Sequence, residues 1–264
     1  MFQPLYVAAT GLSAYEDEML EITNNLSNSQ TIGFKKSRTE MESLTYVPKS
    51  FKDILDEQMT DVPEVIPEFG TGVKVSATRS DFTQGKITTT SNPLDIAIQG
   101  EGFLVFKMPD GTVAYGRAGN LHADNEGNLV DPNGHILEPG LTLPEGTTSV
   151  IIQQDGTIFA QINNTTSQTQ VGQITLAKFN NSAGLKSLGQ NLYAETEASG
   201  SAITGYAADI GFGTITQYAQ EESNVDVIAE MMRMVMVQRI FEAITKAVSS
   251  YENIITNVER MKQG

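Results

Sequence analysis

The two histidines of this 264-residue chain, His122 and His135, are its only imidazoles, and no cysteine accompanies them. Thiolate metal sites, disulfides and a cysteine nucleophile are therefore excluded. Both histidines stand in a turn-rich stretch with no second His at helical spacing, so the zinc-protease arrangement is missing and both read as solvated loop residues. Three glycine pairs, Gly70-Thr71-Gly72, Gly100-Glu101-Gly102 and Gly211-Phe212-Gly213, begin like phosphate loops. None continues to a third glycine or to a Gly-Lys-Ser/Thr ending, and bulges or close backbone approach account for them better. Asp124, Glu126 and Asp131 surround Gly127, yet their oxygens lack calcium-loop spacing and no Glu closes the loop, which leaves polar hairpin turns. A glycosidase needs two carboxylates across a cleft; among 32 Asp and Glu nothing marks out one pair. No serine sits on a nucleophile elbow. The chemistry-bearing residues thus point to no reaction, and neither metal nor cofactor is expected.

Composition narrows the class further. With 39% hydrophobic and 19% charged residues the chain has the means to bury a core. Its 17 Lys and Arg against 32 acids leave a formal charge of -15, which argues against a phosphate-coating surface and removes nucleic acid from the expected partners. No apolar run approaches the roughly 20 residues that span a bilayer. Residues 1–20 lack the basic start and apolar block of a secretory signal, so export from the cytoplasm would need another route.

The elements that would position any functional residue differ between the ends and the middle. Leu5, Ala8, Leu12, Tyr15, Met19, Ile22 and Leu26 follow alternating steps of three and four, a heptad seam that predicts a helix over about 4–28. Pro4 suits its first turn, and the polar, flexible run from Asn28 to Gly33 ends it. Met234, Val237, Phe241, Ile244, Val248, Tyr251, Ile255 and Val258 repeat the rule near the other terminus. Ser223 and Asp226 have capping-box spacing, which starts this helix near 224 and carries it to about 260. Ile228, Met232, Val235, Ile240, Ala243, Ala247, Ile254 and Met261 widen its apolar stripe beyond what one partner helix covers.

Between the helices lie short β-branched and aromatic runs: Lys86–Thr90, Asp95–Ile98, Phe103–Met108, Thr112–Tyr115, Ser149–Gln153, Thr157–Ile162 and Val171–Phe179. Asp110-Gly111, Asn133-Gly134 and Asp155-Gly156 have two-residue hairpin composition. Residues 35–80, with Pro48, Pro63 and Pro67, read as extended. The expected fold class is α+β: long N- and C-terminal helices paired as a coiled coil in a discontinuous domain (1–34 with 222–264), an extended segment over 35–80, and a central antiparallel all-β domain over 81–221.

Charge adds a register clue. Residues 1–34 contain Glu16, Asp17, Glu18 and Glu21 and no base, whereas residues 224–264 contain five acids and five bases. Arg233 and Arg239 are expected to face that acidic cluster, in the same or a neighbouring chain. Gly11, flanked by Ala8, Ala9 and Ala14, is either a place of close helix approach or a weak point.

At Asn24-Asn25-Leu26-Ser27-Asn28, then Thr31, Gly33, Phe34 and Lys35, the sequence resembles the N-terminal signature of the bacterial flagellar rod and hook family. The resemblance returns at Gly70-Thr71-Gly72-Val73, at Leu94–Ile98 with Gly100-Glu101-Gly102-Phe103, and at Tyr115, Arg117 and Gly119. Phe179-Asn180, Gly184-Leu185 and Asn191-Leu192-Tyr193 follow, and Ser223–Val227, Glu230-Met231, Gln238-Arg239, Glu242 and Lys246-Ala247 complete it. Ser27 stands where that family commonly has Ala, and Phe241 where it has Tyr. Overall length and the segment between Phe34 and Gly70 look more like the rod members than the hook members, whose outer domain is larger.

The resemblance implies a non-enzymatic subunit exported unfolded through the flagellar type III apparatus. It would assemble helically with other copies around a central channel in the periplasm-spanning rod, its terminal helices inside and disordered before assembly. The implied neighbours are proximal rod proteins, hook or hook-junction subunits and the outer ring (bushing) proteins. The two seams, with Asn24, Asn25, Asn28, Phe34 and Arg239, make up the expected assembly interface. Two other classes stay open on the residues alone, a peptidoglycan-acting enzyme and a monomeric binding module.

Overall fold

A computed structural model describes residues 3–48, 68–162 and 168–263, arranged as two compact units. The described residues within 1–26, 37–79 and 227–264 form a helical unit; those within 27–36 and 80–226 form a β unit. The expectations for 49–67, including Pro63 and Pro67, and for the polar stretch 163–167 lie outside the described residues.

The helical unit contains helix α1 (Gln3–Ser27) and helix α2 (Val227–Gln263). Both follow from their three-and-four apolar spacing. In addition, strand Ser37–Ser43 pairs with Val73–Ser80, and Tyr46–Pro48 pairs antiparallel with Glu68–Gly70. Helix α2 starts three residues later than the Ser223 capping box predicts. Asn224 accounts for the delay: its side chain accepts the Lys36 N–H at 2.8 Å and donates to the Asp81 carbonyl at 2.8 Å, holding the chain in a connector. Ser223 Oγ accepts only the Val225 N–H, at 3.4 Å.

The fold is α+β and mostly sheet, but the expected long paired coiled coil is not what forms. The helices have 25 and 37 residues, so α1 runs out before α2 does. They meet where Arg233 binds Glu18 and where Ile244 approaches Gly11. Of the seam residues only Ile22 and Val237 are buried, whereas sustained knobs-into-holes packing would enclose every layer. A heptad seam read from sequence identifies the sticky side of a helix and does not guarantee that one partner covers it.

In the β unit, the run Phe103–Lys107 explains the architecture. Its first four residues, Phe103 to Phe106, are apolar without alternation because both faces are buried there. Leu104 and Phe106 point into one core with Ile96, Ile98, Leu121, Leu129, Ile158 and Leu176. Phe103 and Val105 point into a second, aromatic core with Tyr115, Phe179, Leu185 and Tyr193. There Phe103, Phe82, Phe179, Tyr115 and Tyr193 meet edge to face at centroid separations of 4.8–5.8 Å. Phe103–Lys107 pairs with Val113–Gly116 on one side and with Thr175–Lys178 and Ile136–Leu137 on the other, all antiparallel. The apolar run Val171–Phe179 divides at Ile174: Gln168–Gln173 joins Thr147–Ile152 and Thr157–Ile162 in a three-stranded sheet, and Thr175–Lys178 joins the larger one.

The Asp-Gly and Asn-Gly sites are turns of a different type from the two-residue hairpins expected. Gly111, Gly134 and Gly156 donate their N–H to Met108, Asp131 and Gln153, three residues back, and have φ of 84°, 88° and 82°. The preceding Asp or Asn keeps φ negative, which makes these four-residue turns with glycine last. Asp124 to Gly127, the discarded calcium loop, folds the same way. His135 departs from expectation: it is buried, with Nδ1 2.8 Å from the Asp131 carboxylate, which also accepts the His135 N–H. His122 is exposed.

Candidate functional site

Helix α2 carries eight exposed large hydrophobic side chains among the described residues. Ile228, Met231, Met232, Val235, Met236, Ile254, Val258 and Met261 all rank as exposed large hydrophobics. Met231, Met232, Val235, Met236, Arg239, Ile240 and Ala243 line a shallow groove of about 580 Å³ along one side of the helix. A clustered apolar patch of this kind on a soluble monomer marks an interaction surface. Three methionines on it give a surface whose flexible, polarisable side chains adapt to what covers them.

The seam positions behave differently. In α2, Met234, Phe241, Ile244, Val248, Tyr251 and Ile255 are half-buried, Val237 is buried, and Val258 and Arg239 are exposed. In α1, Leu5, Ala8, Leu12, Tyr15, Met19 and Leu26 are half-buried beside the buried Ala14 and Ile22. The seams therefore face the interior of the helical unit, and the groove belongs to the second stripe of α2. Met231 and Met236 joined that stripe only in the structure. Their place on the helical wheel beside Met232 and Val235 was the available signal.

The polar positions do structural tasks. Asn25 is buried and exchanges two hydrogen bonds with the Ser37 backbone, at 2.8 and 3.0 Å, while Glu21 accepts from the Ser37 hydroxyl. Asn24 is exposed. In the β unit Asn28 is half-buried and accepts the Thr31 hydroxyl at 3.1 Å, and Phe34 is half-buried. Arg233 donates through Nε at 2.9 Å and a terminal nitrogen at 2.7 Å to one Glu18 oxygen, so the Arg233 part of the expected charge register forms within the chain, whereas Arg239 is exposed.

A second feature had no local sequence signal. Lys35, Arg117 and Glu221 form a buried charge cluster in the β unit. Lys35 Nζ lies 2.5 Å from Glu221 Oε1 and 2.7 Å from the Thr83 carbonyl. Arg117 reaches both Glu221 oxygens at 3.3–3.4 Å and donates to the carbonyls of Gly100 and Gly102. Burial lowers the Lys35 pKa below the ordinary lysine value, opposed by the Glu221 charge. All three side chains are buried, and among the described residues no group of three or more His, Asp or Glu is placed to hold a metal.

A family model described as the flagellar hook protein FlgE/F/G D1 domain matches residues 97–160, and one described as the flagellar basal body rod FlgEFG protein C-terminal matches residues 216–261. The flagellar basal-body rod protein FlgG of Caulobacter vibrioides is 34% identical over 263 residues, covering 98% of this chain and 99% of that protein. That of Borreliella burgdorferi is 35% identical and covers 100% of both. The flagellar hook protein FlgE of Salmonella typhimurium is 34% identical over 135 residues, covering 51% of this chain and 32% of that protein. Among the described residues no helix is long and apolar enough to cross a membrane.

Proposed function

Because the chain belongs to the flagellar basal-body rod protein family, we propose that it is a structural subunit of the distal rod. In this reading copies polymerise helically into the hollow shaft that transmits torque from motor to hook. The observation that carries it is the uncovered apolar face of α2. Burial stabilises at about 25 cal/mol per Å², and that stabilisation is realised only when neighbouring copies cover the face. Contacts between unlike surfaces build an open helical filament when the rotation between copies does not close a ring, and the rod reading takes that case. The inner layer is assigned to residues 1–34 with 222–264, lateral contacts to 35–80, and the outward part to 81–221. In this reading the two seams, with Asn24, Asn25, Asn28 and Phe34, shape the inner layer from within each subunit and meet neighbouring copies only along their half-exposed edges, and the groove with Arg239 is the face those copies cover.

The chain acts without catalysis in this reading. Its further neighbours are proximal rod proteins, hook or hook-junction subunits, the surrounding ring proteins and, during delivery, the type III export apparatus. Basal bodies purified from cells carrying Leu12→Asp or Phe241→Asp test the assignment by electron microscopy. Rods should stop short of the hook while the β unit of the purified variants stays folded. Rods of normal length would overturn the assignment of the seams.

A further inference from the structure

The chain passes between the two compact units four times, at 26/27, 36/37, 79/80 and 226/227. On the β-unit side, three of these passages run directly into the neighbourhood of the buried charge cluster. Lys35 and Lys36 precede the second passage, Asp81 and Thr83 follow the third, and Glu221 and Asn224 precede the fourth. These segments are far apart in sequence, Lys35 and Glu221 by 186 residues, and nothing local brings them together.

The bonding pattern is that of a tie. The Glu221 carboxylate accepts from Lys35, from Arg117 and from the Gly85 N–H at 2.8 Å, and the Glu221 carbonyl accepts the Gly33 N–H at 2.8 Å. Arg117 carries the tie into the sheet by binding the Gly100 and Gly102 carbonyls between strands Ile96–Gln99 and Phe103–Lys107. At the rim, Asn224 binds Lys36, Asp81 and Thr83 with one side chain, and the Asp81 N–H donates to the Lys36 carbonyl at 2.8 Å. Buried ions contribute little net stability compared with a well-packed apolar plug, but removing one partner is costly because it leaves an uncompensated buried charge, so the set resists being pulled apart. A part that must hold a fixed geometry under load needs that property more than it needs overall stability.

We propose that Lys35, Arg117, Glu221 and Asn224 form the anchor of this subunit, fixing three of its four inter-unit chain passages to the β sheet through a buried charge cluster and its half-buried rim. The four are positioning residues: they hold the connectors, and load borne by the connectors enters the β unit through them. The load-bearing role rests on the rod reading; the anchoring itself does not.

Hydrogen exchange with mass spectrometry on the full chain at low concentration tests the anchoring. Amides of residues 33–36, 81–85 and 221–224 should exchange as slowly as those of strand Phe103–Lys107. In Lys35→Met they should exchange at least tenfold faster while 103–107 stays protected. Asn224→Ala removes only rim hydrogen bonds and serves where Lys35→Met loses protection throughout; it should loosen 81–85 and 221–224 by the same criterion. Unprotected connectors in the unaltered chain, or protection unchanged in both variants, would overturn the anchor. In cells, a variant with loosened connectors should build rods of normal length yet lose swimming speed as medium viscosity rises. Speed equal to the parent at every viscosity would overturn the load-bearing role. A rod reading that is itself wrong shows elsewhere, as basal bodies of normal form when the α2 groove is disrupted.

Discussion

Val235→Asp places a carboxylate in the middle of the α2 groove, at a side chain that is 47% exposed in the single chain. Fully burying a Val, Ile or Met side chain stabilises by about 1.5–3 kcal/mol. The eight exposed side chains of α2 retain between 43% and 75% of their exposure, so covering them contributes about 1–2 kcal/mol each. Their sum, on the order of 10 kcal/mol, is comparable to the estimated 4–15 kcal/mol cost of association. Assembly is then finely balanced, and a single substitution decides it. Val235→Asp forfeits about 1 kcal/mol of burial and adds the desolvation of an unpaired carboxylate, together at least about 3 kcal/mol. That corresponds to a rise of roughly 100-fold in the critical concentration for polymer, measured by sedimentation of the purified chain. Val235→Ala, which only trims the side chain, should raise it by about threefold to tenfold. In the unassembled chain an exposed Asp in α2 costs well under ~1 kcal/mol of helix propensity, so monomer stability should hardly move. A critical concentration for Val235→Asp within threefold of the parent would refute the assignment of this face.

Three further outcomes are expected. A Cβ built on Gly11 would meet Ile244 Cδ1 at 3.6 Å, an ordinary contact, so Gly11→Ala should stabilise the helical unit by about 0.5–1 kcal/mol in urea unfolding followed by circular dichroism; destabilisation would mean the close approach is needed. Ile22→Ala empties a side chain that is only 1% exposed and should cost about 2–5 kcal/mol in the helical transition, with the β transition unchanged. Burial raises the Tyr193 hydroxyl from 10.0 to about 12, so the unfolded chain ionises first. Stability from this group is complete below pH 10 and is lost as pH rises toward 12, by about 2–3 kcal/mol, and Tyr193→Phe should remove that part of the alkaline loss in urea unfolding at pH 9 and pH 11.5.

What the sequence disclosed follows the range of the forces involved. Helix positions were legible because a three-and-four apolar spacing is a local property, and α1 and α2 lie within three residues of their expected bounds. The strand Phe103–Lys107 was legible for the same reason, as was the placing of turns at Gly111, Gly134 and Gly156, although not their type. The division of Val171–Phe179 at Ile174 was hidden, because an apolar run says that both faces are covered and not by which sheet. His135 looked solvated because its partner Asp131 is one turn away in a loop, where spacing carries no fixed geometry. The Lys35–Glu221 pair was invisible: two charges 186 residues apart meet only because the fold brings them together. The coiled coil failed from the opposite error, in which a correct local pattern was extended to a tertiary partner that α1 is too short to supply.

In the rod reading, the division of charge would keep chains with such an exposed face apart until each is placed. The total is -15, with four acids and no base in residues 1–34 and balanced charge in 224–264, so residues 35–223 carry -11. Repulsion between copies therefore resides mainly in the β-rich part, while α2 combines exposed apolar area with no net charge. Free chains that collide at random meet acidic surface against acidic surface and separate. Only an approach that brings a neighbour onto α2 trades that repulsion for burial, and the energetic contrast between the two approaches selects ordered addition over random clumping. The same contrast limits how far the groove can be improved: more apolar area on α2 would raise affinity and, with the charge unchanged, erode the discrimination that makes the product a shaft.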